Sequence, residues 1–140
     1  MMMEYEGNMK ETKTTIRDGF IYTGDIGVLD SNGFLSITDR KKDVIFVKGF
    51  NVFPREIEEL LMSHSNISSV CVVGQQDDRS GETPVAFITL KDNIDISIIK
   101  RYCEDTMLPY KVPSEFIVLE NLPLTPAKKV DREALKDSLV

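Results

Sequence analysis

The chain has 140 residues, of which 41% are apolar and 29% charged, enough for a compact unit with a real hydrophobic core. Its net charge of −6 argues against nucleic acid or an anionic membrane as the main partner. No apolar run approaches the roughly eighteen residues that a membrane span needs, and residues 1–10 lack the apolar centre of a signal peptide, so the expected location is cytoplasmic. Cys71 and Cys103 are too few and too far apart for a disulfide framework or a zinc site, and their apolar neighbours suggest buried thiols.

In chain order, residues 1–18 are polar and expected to be irregular. Residues 19–22 and 33–37 read as two strands, with a turn over 29–33 where Asn32 and Gly33 tolerate positive φ. Residues 39–43 form an unbroken charged run, Asp39-Arg40-Lys41-Lys42-Asp43, which marks a surface or a boundary. Residues 44–47 and 51–53 flank Lys48-Gly49-Phe50 and predict a hairpin with glycine at the bend. Pro54 opens a helix with Ile57, Leu60 and Leu61 on one face and Glu56, Glu58 and Glu59 in its first turns. His64 follows at its C-terminal end, where a cation suits the dipole and no catalytic role is expected.

Residues 70–73 and 83–90 predict two further strands joined by a polar loop over 77–82. Val85 and Phe87 point to one face of the second strand and Ala86 and Ile88 to the other. Asp95 predicts an N-cap for a helix that turns Ile96, Ile99 and Cys103 inward. Pro109 and Pro113 bracket an expected extended linker, residues 116–119 a strand, and 122–129 a loop. A last helix over 131–139 is expected to bury Ala134, Leu135 and Leu139. The fold class is α+β, a small sheet covered by helices and preceded by a β-hairpin.

Four segments carry more than periodicity. They are Gly19-Phe20-Ile21-Tyr22-Thr23-Gly24-Asp25, Asp39-Arg40-Lys41-Lys42-Asp43-Val44-Ile45, Gly49-Phe50-Asn51-Val52-Phe53-Pro54-Arg55-Glu56-Ile57-Glu58 and Leu122-Pro123-Leu124-Thr125-Pro126-Ala127-Lys128-Lys129-Val130-Asp131-Arg132. In this order and at about this spacing they resemble the motifs of the adenylate-forming enzymes, which include acyl-CoA synthetases, peptide-synthetase adenylation domains and luciferases. The wording is most similar to that of bacterial medium- and long-chain fatty acid–CoA ligases. Residues 1–39 resemble the tail of that family's large N-terminal domain, and 40–140 its small C-terminal domain. The glycine-rich phosphate loop and the acyl pocket of the family are not found, so the chain is expected to be a fragment, inactive alone, that needs the large domain as its partner.

The resemblance implies roles for particular residues. Asp25 would accept bonds from the ribose hydroxyls of ATP, although alone it reads as an ordinary turn aspartate. Arg40 would contact ribose or phosphate, where a planar guanidinium serves well. Lys42 falls at the hinge between the large and small domains, or is one more solvated lysine in a charged run. Gly49 would lie where the pantetheine arm of CoA enters, while serving equally as a hairpin turn. Some relatives carry a lysine at the Phe46 position. Lys48, two residues on, is expected on the same strand face and could serve instead.

Lys129 is the expected catalytic lysine, placed to offset charge that gathers on the α-phosphate during adenylation, rather than a solvated loop lysine. The family commonly has glycine just before it; here Lys128 stands there, which leaves open a different loop path or Lys128 acting in its place. The implied substrates are a fatty acid, ATP with Mg2+, and CoA, with no metal site in the fragment itself. Alternatives are transfer to a carrier-protein thiol, a non-catalytic docking module, or an inert α+β fold. Apolar surface meant for the large domain could drive self-association.

Overall fold

A computed structural model describes residues 2–139 and is α+β, with small sheets and four helices. The chain divides into two compact units between Lys42 and Asp43, within the charged run.

The first unit begins with helix α1 (Met9–Thr15), capped by the Asn8 side chain, which accepts the Glu11 N–H. Strand β1 (Ile16–Arg17) turns back on β2 (Phe20–Ile21) as a two-residue antiparallel pair. This segment is therefore more ordered than its polar composition suggests. Strand β3 (Asp25–Leu29) pairs antiparallel with β4 (Leu35–Arg40) around a turn in which the Asp30 carboxylate accepts the Asn32 and Phe34 N–H groups. Residues 25–29, not expected as a strand, supply the partner of the strand expected at 33–37. Apolar side chains of this unit stand exposed, among them Phe20, Val28, Leu29, Phe34 and Leu35.

The second unit is built on a five-stranded sheet. Its path runs β6 (Phe50–Val52), β5 (Ile45–Val47), β8 (Gly81–Leu90), β7 (Ile67–Asp77), and β9 (Glu115–Val118) adds parallel to β8. The 77–82 segment is not the loop its polarity suggested. The two strands pair as far as Asp77 and Gly81, and only the tip turns, with the Asp77 carboxylate accepting the Arg79 and Ser80 N–H groups. Alternation along β8 divides the core, as the sequence predicts. Ala86 and Ile88 pack with Ile57 and Leu61 of helix α2 (Pro54–Met62) and Ile99 and Cys103 of helix α3 (Ile96–Thr106). Val85 and Phe87 pack on the other face with Cys71, Val73, Leu122 and Leu135 of helix α4 (Arg132–Asp137).

Asp95 caps α3 as expected, accepting the Ser97 N–H. Between α3 and β9 the chain makes a 3₁₀ turn over Pro109–Lys111 rather than running extended, because Leu108 accepts the Lys111 N–H and Tyr110 stacks on Phe50 with ring centroids 4.5 Å apart. In α4 only Leu135 is buried and Ala134 faces solvent, because so short a helix places few side chains on the sheet; Leu139, beyond its end, is half-buried. Burial pushes both thiols up to about 11, so Cys71 and Cys103 are unreactive core side chains.

Candidate functional site

In the first unit Asp25 and Arg40 are register partners at the end of the β3–β4 ribbon. Arg40 Nε lies 2.9 Å from Asp25 Oδ1, so the two candidate nucleotide contacts form an ion pair. Gly24, with φ 75°, turns the chain into β3, and its carbonyl accepts the Lys41 N–H at 2.8 Å. The Thr23 hydroxyl accepts the Asp25 N–H, which fixes the start of the strand. A cleft of about 620 Å³ beside this pair is lined by Tyr22, Thr23, Gly24, Arg40 and Lys41 together with residues of α1. Lys42 lies in the 3₁₀ turn Lys41–Asp43 at the division between the units, and its side chain is exposed.

In the second unit, Gly49 sits at the tip of the β5–β6 hairpin. Lys48 and Gly49 both take positive φ, 50° and 84°, the geometry of a two-residue hairpin turn that matches strand twist. A Cβ built on Gly49 would meet nothing within 4 Å, so the backbone angle, not crowding, calls for glycine. Lys48 therefore lies in the turn and does not continue the strand face of Phe46, contrary to the expectation from strand alternation. Phe46 and Phe50 are both exposed on this hairpin.

Lys129 is carried by a second small hairpin. Leu124 bridges Val130; Thr125 N–H donates to the Lys129 carbonyl at 2.7 Å and Lys128 N–H to the Thr125 carbonyl at 2.8 Å. The turn is Pro126-Ala127-Lys128, with Lys128 at φ 59° in the left-handed position usually taken by glycine. Lys128 thus adopts the backbone that a glycine would, and the loop keeps a tight path despite the substitution of side chain. Both lysines are exposed, and no backbone bond of the turn uses either ammonium group. A left-handed non-glycine residue costs about 1–2 kcal/mol, partly offset by the lower entropy of a non-glycine unfolded chain. Lys128→Gly is therefore expected to stabilise the second unit by about 0.5–1 kcal/mol in urea unfolding, with a loss of stability as the contrary result.

The residues that root this hairpin were not singled out from sequence as a site. Arg132, opening α4, donates through Nη1 to Glu58 Oε1 of α2 at 2.9 Å and to the Val72 carbonyl of β7, and its Nε lies 3.8 Å from Asp43 Oδ2. The Glu58 carboxylate also accepts the Val72 N–H at 2.8 Å. One signal could have found them: an arginine in the first turn of a helix stands at the wrong end of the dipole and calls for a partner.

Residues 56–129, more than half of the chain, match the AMP-binding enzyme C-terminal domain family. The chain belongs to that family. A 2-succinylbenzoate–CoA ligase of Listeria monocytogenes is 38% identical over 133 residues, 95% of this chain and 28% of that protein. The o-succinylbenzoate CoA synthetase of Bacillus subtilis, solved with its acyl-adenylate intermediate, superposes with a TM-score of 0.90 at 34% identity over 98% of this chain and 28% of that one. A fatty acyl CoA synthetase of Mycobacterium tuberculosis superposes with a TM-score of 0.72 at 34% identity over 96% of this chain and 27% of its own. The chain thus spans little more than a quarter of the length of these relatives. Among the described residues no group of three or more His, Cys, Asp or Glu stands together as a metal site, and no helix is long and apolar enough to cross a membrane.

Proposed function

We propose that this chain is the C-terminal part of an AMP-forming acid–CoA ligase, and that it completes an active site whose larger part lies on an N-terminal domain. The single observation that carries the reading is the pair of glycine-type turns. One holds Lys129 and the other Gly49, on separate hairpins of the second unit. In the first half-reaction a substrate carboxylate oxygen attacks the α-phosphorus of ATP, the bond to the β-phosphate breaks, and pyrophosphate leaves. Lys129 supplies a fixed positive charge to the α-phosphate oxygens as negative charge gathers there. In the second, the CoA thiol sulfur attacks the acyl carbon, the acyl–phosphate bond breaks, and AMP leaves. The Gly49 hairpin lines the thiol's approach. Asp25 and Arg40 hold the ribose and phosphates, and Lys42 serves as the pivot by which first one face and then the other is presented.

The acid is 2-succinylbenzoate or a close relative in this reading, since ligases of that acid from Listeria monocytogenes and Bacillus cereus are 38% and 42% identical to this chain. This replaces the fatty acid suggested by motif wording, which the mycobacterial structure supports at a lower TM-score. ATP with magnesium fits as the nucleotide substrate, because the Bacillus subtilis enzyme is also solved with both. In this reading the metal arrives with the nucleotide and is held by its phosphates and the large domain. The exposed apolar residues of the first unit suit an interface with that domain.

The reading is tested by combining this chain with a large domain from a 2-succinylbenzoate–CoA ligase, separately expressed or fused, and measuring AMP release with ATP, acid and CoA. Release that requires both parts supports it. Release by the chain alone, or none from the combination across a panel of acids, contradicts it. In the same combined enzyme Gly49→Leu is expected to slow thioester formation at least tenfold, because a branched side chain would fill the thiol's path. The strain at φ 84° adds about 1–2 kcal/mol to its folding cost. Unchanged thioester formation in this variant would remove the hairpin from the site.

A further inference from the structure

The hairpin of Lys129 has no slack between its tip and the sheet. Lys129 is tied to Thr125 by the Lys129 N–H to Thr125 hydroxyl contact at 3.3 Å and by the bond to the Lys129 carbonyl. Val130 bridges Leu124, and the Asp131 N–H donates to the Pro123 carbonyl at 2.8 Å. Asp131 also accepts the Ala134 N–H, setting the first turn of α4. Arg132 then ends the run of ties in the Glu58–Asp43–Val72 cluster, where its side chain is 30% exposed against 17% for Glu58 and 16% for Asp43.

Such a cluster is a poor device for stability alone. Two carboxylates and a guanidinium lose much of their hydration, and a buried ion pair is often no more stable than an apolar replacement. Arg132 also opposes the dipole of its own helix. Burial would lower its pKa, but the Glu58 hydrogen bond and the charges of Glu58 and Asp43 outweigh burial and hold it above the ordinary value. What the cluster does provide is fixed geometry. A planar guanidinium gripped by α2, β7 and Asp43 leaves the attached chain one orientation. Asp43 is the first residue after the division between the units, so the same guanidinium holds the beginning of the second unit.

We propose that Arg132, gripped by Glu58 and Asp43, is a positioning residue that locks the Lys129 hairpin to the start of the second unit. The proposal rests on the reading of Lys129 as the adenylation lysine, and its consequence is that loosening the grip misdirects that lysine while the fold survives.

Two readouts test it on Arg132→Lys and Asp43→Asn. Lysine keeps the charge but loses the planar fork; asparagine keeps the size but loses the charge. In this chain alone, the order parameter of the Lys129 amide is expected to fall from a rigid value near 0.85 to below about 0.6, with the Ile88 amide unchanged. A rigid Lys129 amide in both variants overturns the proposal. In the combined enzyme, acyl-adenylate formation is expected to fall at least tenfold, while thioester formation from supplied acyl-adenylate holds. Equal losses in both half-reactions overturn the proposal, because they mark a general structural defect. Should Lys129→Ala leave adenylation intact, the functional reading of the lysine fails, while the order parameters still decide whether the anchor exists.

Discussion

Lys129→Ala is expected to lower AMP release by the combined enzyme about 10²–10³-fold, with the thermal stability of the chain unchanged. The magnitude follows from the physics of a preorganised charge. Removing one oriented donor from a site where charge develops costs about 3–4 kcal/mol of barrier, which converts to that range of rate. Unchanged stability follows from the structure. Lys129 is exposed, and the hairpin that carries it is closed by backbone groups and the Thr125 hydroxyl. A steady-state assay with both chains at equal concentration reads the first quantity, and thermal unfolding reads the second. Lys128→Ala serves as the control. Loss there with Lys129→Ala unaffected would mean that the ammonium at the turn, not the one beyond it, does the chemistry.

Ile88→Ala is expected to cost about 2–5 kcal/mol of folding stability, the largest structural effect of any single truncation considered. Ile88 is fully covered at the centre of β8, between Val70 of β7 and Val118 of β9 in register and against α2 and α3. Cutting it to alanine removes three heavy atoms from a layer whose neighbours Ile57, Leu61 and Ile99 are themselves fully buried and held by helices on the sheet. A domain of this size has roughly 5–15 kcal/mol in all, so the loss takes a large share of the total. Ile98, exposed on the outer face of α3, is expected to change stability by less than about 0.5 kcal/mol on the same substitution. Urea unfolding of the two variants checks both numbers, and similar costs at the two positions would contradict the assignment of the core.

The two units differ in how well the sequence foretells them, and the difference has a physical cause. In the second unit, periodicity reports a core that the chain itself supplies. The alternation of Val85 to Ile88 and the spacing of Ile57 and Leu61 were legible because both faces of the sheet are buried by this chain's own helices. In the first unit the same signal misleads. Phe20, Phe34 and Leu35 are apolar yet exposed, so their pattern does not show which strand pairs with which. The β3 strand was missed because Asp25 and Gly27 interrupt the apolar residues that identify a strand.

The candidate site was legible wherever a turn demanded a residue type. Gly49 stands at a bend that needs positive φ, and Lys128 marks where a glycine is ordinarily found. Asp25 and Arg40 were named singly, but their pairing follows from a strand register that no local pattern encodes. The Arg132 cluster was hidden for a different reason. Its arginine and the Val72 carbonyl it meets are sixty residues apart in sequence, and charged side chains carry no periodic mark of their own partners.

The central claim is that this chain offers two distinct hairpins to two chemical steps. Its most direct test takes Lys129→Ala and Gly49→Leu side by side in the combined enzyme and measures each half-reaction alone: ATP–pyrophosphate exchange for adenylation, and thioester formation from preformed acyl-adenylate and CoA. The account predicts a crossed result, with the lysine variant losing exchange and keeping thioester formation, and the glycine variant doing the reverse. Parallel losses in the two variants would contradict it.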